Sequence, residues 1–456
     1  MTASSHPAAL KFAAHVNPAF VKLLGAFGYG RVYERAKGTR LWDSEGREYL
    51  DALAAFGAAN LGHNPPALLE RVAKMLADDA PNLVHTGIAV HAAELGAALA
   101  RIATPLTRTL FSTGGGEAVE SAMKLARAAT KRKNILYCKD GFHGTGLGPL
   151  SIMGSGRMRD PFEPLLPGCY EIPFDDARAL EKALVEHKPA AFVVEPIQAE
   201  AGVVVPERDY LRTASDLCRK HGTLLVLDEV QTGLGRTGSM FAFQGEDFTP
   251  DVLVLGKSLG GGLVPVSATL TTPEIHDRAY GRVDRFDLHG ATFSGWALGC
   301  RVALAALDIL KEEKLVEAAN ERGEQLLEKL RDAVADHPFV KGVRGRGLLV
   351  GLELGPTAKG GGLLGRLLPG VVDLVSKRVF GQWLAMRLLE EGILAQPAAH
   401  QWNVLKITPP LTITEAEVDR IVETIARVLG AYTELRPLLT DVGQRLGTQL
   451  LSGWSF

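Results

Sequence analysis

The sequence predicts an α/β protein, with a large domain around a mainly parallel sheet and a smaller α+β domain assembled from both chain ends. Three observations carry that expectation. Between about residues 134 and 255, short apolar strands alternate with amphipathic helical segments, the pattern of βαβ units. The strands read as continuous apolar runs, as Leu224–Leu227 does; strands of a parallel sheet are covered on both faces and need no polar side. Beyond about residue 300 the texture changes to long helical stretches and strands punctuated by glycine, and no internal repeat is visible.

In chain order, residues 1–30 read as an arm of small residues closing on Gly25, Gly28 and Gly30. Arg40–Asp51 reads as a hairpin with a polar turn at Asp43–Gly46. Pro66–Asp78 has helical spacing of Leu68, Leu69, Val72, Met75 and Leu76. A helix is expected from the Gly114–Gly116 run to about Ala129. Strands follow at Asn134–Cys138, Ala190–Glu195, Thr223–Leu227 and Val252–Leu255, with helices at Asp176–His187 and Asp209–His221 between them. A long helical region is expected from Cys300 to Ala335, then a strand-like stretch at Phe339–Leu354, a Gly/Leu-rich loop at Pro356–Gly370, and helices at Val371–Gly392 and Glu415–Tyr432. This places an arm and part of the small domain at 1–75, the large domain at 76–315 and the rest of the small domain at 316–456.

Composition narrows the function. The 456 residues carry 50 Lys+Arg against 52 Asp+Glu, a net charge of −2, which argues against a dedicated nucleic-acid binder. With 46% hydrophobic and 22% charged residues the chain has ample material for a core, which excludes wholesale disorder. The 4 cysteines match neither a zinc nor a redox pattern, and the 12 histidines contain no H-E-x-x-H, so no metal site is expected. A cytoplasmic protein is expected, with no signal peptide in Met1–Phe20 and no window of about 18 apolar residues to span a membrane. Glycine is the excess: 50 residues, about 11% where ~7% is usual, in short clusters where backbone must turn or approach a ligand.

The chemistry sits at strand ends. Asp228 follows one apolar strand and Lys257 follows the next, 29 residues on, so both belong at the carboxyl edge of one sheet, where open α/β sheets bind ligands. A lone Asp there is equally a turn or cap, and a lone Lys is ordinarily exposed. Together they suit a pyridinium cofactor bearing an aldehyde: a partly neutral lysine forms the Schiff base and the carboxylate holds the ring nitrogen protonated. Such a cofactor carries a phosphate, and Gly114–Gly116 opens a helix whose free N–H groups suit an anion, although a Gly-rich helix start alone is ordinarily a plain cap. Phe142, after the strand at 134–138, offers an aromatic face or a core residue.

With these residues assembled, the chain resembles the class III pyridoxal-phosphate aminotransferases of fold type I, from about Tyr33 to Leu429. The motifs are Glu195-Pro-Ile-Gln, Leu227-Asp-Glu-Val-Gln-Thr-Gly-Leu-Gly-Arg-Thr-Gly238, Gly256-Lys-Ser-Leu-Gly-Gly-Gly262 and His289-Gly-Ala-Thr-Phe-Ser-Gly295. Pro161–Gly168 and the Pro409-Pro-Leu-Thr run look closest to the putrescine and ornithine branch. The resemblance implies a seven-stranded sheet and pyridoxal 5′-phosphate (PLP) as cofactor. It implies that Lys257 would carry the cofactor and shuttle the proton, Asp228 would pair with the pyridine nitrogen, and Gln231 would bond the phenolic oxygen. Gly115 and Gly116 would hold the phosphate, Phe142 would stack on the ring with His143 beside it, and Glu195 would be a structural acid near Asp228. Thr292 would reach the phosphate of the neighbouring subunit in a homodimer. Glu200 matches a gate acid that pairs with a substrate-binding arginine in the ornithine enzymes.

Three departures bear on substrate: Lys406 and Thr145 stand where the ornithine enzymes have arginines, and Phe56 where they have a tyrosine. Arginine grips a carboxylate through a bidentate fork, whereas lysine offers a point charge. Gly114 replaces a usual Ser or Asn, and Trp296 a usual Asn. The expected activity is transfer of a terminal amino group from a diamine or ω-amino compound to 2-oxoglutarate or pyruvate, or the reverse amination of an aldehyde. Alternatives are a long-chain amine or aldehyde transaminase, with residues 359–384 as an apolar wall or simply a helix packed on the small domain; a PLP aminomutase; and a noncatalytic PLP-binding assembly protein.

Overall fold

A computed structural model describes residues 6–357 and 369–450. The strands, in chain order, are β1 (Tyr33–Lys37), β2 (Arg40–Asp43), β3 (Glu48–Asp51), β4 (Arg108–Ser112), β5 (Ile135–Cys138), β6 (Cys169–Ile172), β7 (Ala191–Val194), β8 (Leu224–Asp228), β9 (Val252–Leu255), β10 (Ser267–Thr271), β11 (Val340–Arg346), β12 (Leu349–Leu354), β13 (Ile393–Leu394), β14 (Gln396–Pro397) and β15 (Val404–Ile407). A seven-stranded sheet runs β4-β10-β9-β8-β7-β5-β6. Strand β10 is antiparallel to both its neighbours, and the other pairings are parallel. Because β10 reverses twice, β4 runs the same way as β9. The carboxyl ends of β4, β5, β7, β8 and β9 therefore share one edge.

The apolar runs are explained by cover on both faces. Tyr137, Val193, Val226 and Val254 pack with Ala118, Ala122 and Ala126 of the helix Gly115–Thr130, beside the helix Pro273–Tyr280. The alternate residues Leu136, Phe192, Leu225, Leu227 and Leu253 join the main core with the helices Tyr210–His221 and Ala297–Glu312. Period-two alternation thus divides one apolar run between two cores.

The smaller domain is built from both chain ends: β13 pairs in parallel with β3, and β11-β12-β15-β14 form a second four-stranded sheet. The expected hairpin is present, with Asp43 Oδ1 accepting the Glu45 and Arg47 amides at 3.0 and 2.9 Å. The long helical region expected from Cys300 to Ala335 is two helices, Ala297–Glu312 and Leu315–Val334. The chain breaks at Lys314, which is left-handed at φ +51°, and the second helix then buries Leu315. No glycine or proline marks that break in the sequence. The Phe339–Leu354 stretch is likewise two strands, β11 and β12, turning at left-handed Gly347. Of the 359–384 segment, residues 359–368 lie outside the described residues. The rest belongs to the helix Pro369–Glu390, which buries Phe380, Trp383 and Leu384 in the core of the smaller domain.

Candidate active site

Adjacent strand ends bring the acid and the base together. Asp228, the last residue of β8, lies opposite Val254 of β9; two residues after Val254, Gly256 leads into Lys257. A Cβ on Gly256 would lie 3.3 Å from the Gly115 Cα, so glycine lets the lysine loop pass close to the helix start. Lys257 is left-handed at φ +44°, and its Nζ donates to Gln231 Oε1 at 2.6 Å. Burial pushes the ammonium down to about 8, and Lys406 adds to the shift; Glu200 and Asp228 oppose it.

Asp228 is buried and accepts from His143 at 2.8 Å through one oxygen and from the Val230 amide at 3.0 Å through the other. Burial opposes a charged His143 ring, but the hydrogen bond and charge of Asp228 outweigh it and hold the imidazole above its usual range. Glu195, directly after β7, accepts the Phe142 amide at 2.9 Å, and burial raises its carboxyl to about 7.

Close contact calls for glycine at Gly115, the first residue of the helix, and at Gly144 of the loop that meets it. A Cβ on Gly115 would sit 2.7 Å from Val230 Cγ1, and one on Gly144 would sit 2.7 Å from the Gly116 Cα. Gly116, Phe142, Gly144, Thr145 and His289 line a cavity of about 550 Å³ at this helix N-terminus.

Across the edge, Lys406 on β15 has no exposed surface and donates to Glu200 Oε1. Glu200 Oε2 accepts the Ala399 amide at 3.0 Å. Burial works against the Glu200 carboxylate, yet Lys406 wins and holds it below the usual range. The Lys406 Nζ lies 5.1 Å from the centre of the Phe56 ring. Lys406→Ala is expected to cost about 3–5 kcal/mol in chemical denaturation, because it strands the Glu200 charge. The Lys406→Met/Glu200→Gln double variant is expected to recover most of that loss. Equal stability of the single variant and the native chain would contradict this pairing.

The structure thus gathers Lys257, Asp228, Gln231, His143, Glu195, Glu200, Lys406 and Phe56, places Gly116, Phe142 and Thr145 on the cavity, and sets Gly115 beside it as the first residue of the helix. Thr292 is not brought to this site within one chain; it lies exposed on the 281–296 segment. Sequence reasoning missed Arg236, although it stands inside a quoted motif. This guanidinium is wholly buried and donates to the carbonyls of Leu348 and Pro409 and to Asn60 Oδ1, at 2.9, 2.6 and 2.5 Å. It ties the Gln231 loop to the smaller domain. Also missed is the turn Ala54–Gly57, whose four residues are all left-handed at φ +47°, +49°, +59° and +84°. Left-handed backbone costs roughly 1–2 kcal/mol for each residue bearing a Cβ.

A sequence-family model described as aminotransferase class III matches residues 27–429. The chain belongs to the class III aminotransferases. It is 37% identical over 408 residues to an ornithine aminotransferase of Halalkalibacterium halodurans, covering 87% of this chain and 93% of that one. It is 39% identical over 443 residues to aminotransferase PigE of a Serratia species, covering 91% of this chain; it spans about half, 52%, of that longer relative. An ornithine aminotransferase structure from Toxoplasma gondii, with PLP in partial occupancy at its active site, shares 33% identity and a TM-score of 0.78 over 88% of this chain and 90% of that one. The aminotransferase is PLP-dependent, and its sheet is that of fold type I.

The residues present fit that cofactor. Gln231 Nε2 and His143 Nε2 are buried with no hydrogen-bond partner among the described residues. The first is a spare donor beside Lys257, suited to an anionic ring oxygen. Asp228 supplies an anion backed by His143, and Gly115 and Gly116 leave backbone N–H groups open at the helix start. No helix among the described residues is long and apolar enough to cross a membrane.

Proposed function

We propose that this aminotransferase moves a terminal amino group from a diamine or ω-amino compound to 2-oxoglutarate or pyruvate, and runs the reverse amination of an aldehyde. The observation that supports it is the Lys406–Glu200 pair. The cation standing where ornithine enzymes have an arginine is fully buried and already engaged by Glu200, so no guanidinium fork waits there for an α-carboxylate. The carboxylate of a keto-acid acceptor competes with Glu200 for Lys406.

PLP, when bound, supplies an electron-withdrawing ring that spreads negative charge from the substrate carbon beside the amino group. The chain does the rest. Lys257 would hold the cofactor through Nζ and would move the proton at the substrate carbon. Asp228 would keep a negative charge at the ring nitrogen, its carboxylate oriented by His143. Gln231 would donate its spare N–H to the ring oxygen, Phe142 would cover one ring face, and Gly115 and Gly116 would bind the phosphate. Glu195 fixes the Phe142 backbone.

Two copies complete the site in this reading. Leu83, Ile88, Val283, Phe286 and Phe293 are exposed, and Asn82 joins their two segments by accepting the Ala297 and Leu298 amides at 2.9 and 3.0 Å. An apolar surface of this kind marks an interface. A homodimer through it carries Thr292 toward the partner's phosphate site.

A panel of amine donors, followed by loss of the visible absorbance of lysine-bound PLP, tests the substrate reading. Diamines should discharge that colour at least about tenfold faster than ornithine at equal concentration, a gap of about 1.4 kcal/mol. Faster discharge by ornithine overturns it. The pH dependence of cofactor loading follows from Lys257. The neutral amine is the nucleophile, and burial pushes the Lys257 ammonium down to about 8, below lysine's ordinary 10.5. Attachment of PLP to the apo-protein should therefore rise about tenfold per pH unit up to about pH 8 and level off above it. A rate still climbing at pH 10 contradicts the depressed lysine.

A further inference from the structure

The segment Ala54-Ala55-Phe56-Gly57 is the most strained run near the site. Left-handed backbone normally occurs as single residues, mostly glycine, and here three residues with a Cβ adopt it in succession. Such a run persists only where its surroundings over-determine it. Those surroundings converge on Asp51, a buried carboxylate at the end of β3. Its Oδ1 accepts the Leu53 and Ala54 amides, both at 2.8 Å, and its Oδ2 accepts from His63 Nε2 at 2.7 Å. Thr408, two residues beyond Lys406, closes the other side by donating to the Leu53 and Ala52 carbonyls at 2.9 and 2.8 Å.

The turn so held touches both halves of the site. Phe56 lies 5.1 Å from the Lys406 ammonium. A Cβ on Gly57 would lie 3.8 Å from Gln231 Cγ, on the side chain that holds Lys257. A carboxylate that accepts two consecutive amides at the entry to this turn, and is itself fixed by a histidine, sets where the Phe56 ring stands.

We propose that Asp51, oriented by His63, is a positioning residue for substrate: it holds the left-handed Ala54–Gly57 turn and through it seats Phe56 against Lys406. The proposal rests on the substrate-side placement of Phe56 and Lys406 given above. Asp51 touches no reacting atom, so its effect belongs in KM rather than in the chemical step.

The test uses the PLP-loaded enzyme, with 1,4-diaminobutane as donor, or ornithine if the native enzyme prefers it. A preference for ornithine sinks the diamine reading alone, and the comparison of variants proceeds unchanged. Asp51→Ala should raise the donor KM roughly tenfold, the scale of losing hydrogen bonds to a charged group, with kcat within about threefold. His63→Ala, at a partly exposed position, should move KM the same way by roughly threefold. Ala54→Gly/Ala55→Gly, placed in the Asp51→Ala background, should restore KM to within about threefold of native, because glycine adopts the left-handed turn without help. Asp51→Ala combined with Phe56→Ala should raise KM no further than Phe56→Ala alone. Unchanged KM in both single variants, failure of the glycines to restore it, or additivity with Phe56→Ala overturns the proposal. If Asp51→Ala does not fold, His63→Ala alone and with the two glycines decides between the same outcomes.

Discussion

Lys257→Ala is expected to lower the transamination rate by at least about 10⁴-fold, the upper end of what one proton-transferring group supplies, since this lysine is also the proposed covalent anchor. The position is built for that double use. Lys257 stands at the carboxyl end of β9 in a left-handed conformation, with its Nζ on Gln231 and its proton affinity lowered chiefly by burial. Lys406, the other lysine of the site, cannot take over, because it is fully buried against Glu200. Single-turnover measurement with a saturating amine checks the loss. Retention of more than about a hundredth of the native rate would mean that another group moves the proton.

Asp228→Asn is expected to cost about 10²–10³-fold in kcat, the magnitude seen when one preorganised electrostatic group is removed. The substitution preserves shape but deletes the charge that raises His143 and that is proposed to face the ring nitrogen. Glutamate at 228 should not restore the rate, because the Val230 amide and His143 fix the carboxylate at the length of an aspartate side chain. A loss below about tenfold would show that the ring nitrogen needs no anionic partner, and would remove Asp228 from its proposed role.

Much of this site was legible in the sequence because its fold concentrates chemistry at strand ends. A parallel strand buried on both faces reads as an unbroken apolar run, so Asp228 and Lys257 stand out as the first polar residues after Leu224–Leu227 and Val252–Leu255. The helix start was legible from the run Gly114–Gly116, of which Gly115 is the one that a Cβ would drive against Val230. Other features carried no such mark. The left-handed turn Ala54–Gly57 begins in an alanine-rich stretch that carries no turn signal before Gly57, and it is held by partners as distant as Thr408. Arg236 pairs with carbonyls, which leave no trace in sequence, and the break at Lys314 falls in a charged run without glycine or proline. The role proposed for Thr292 needs a second chain, and within one chain the residue lies exposed.

The central claim is that this chain is a PLP enzyme anchored at Lys257 rather than at the neighbouring buried lysine. Borohydride reduction of the PLP-loaded protein, followed by peptide mapping, tests it directly. The stable pyridoxyl label should fall on the peptide containing Gly256-Lys257-Ser258 and be absent after Lys257→Ala. A label on Lys406, or one distributed over several lysines, would contradict it.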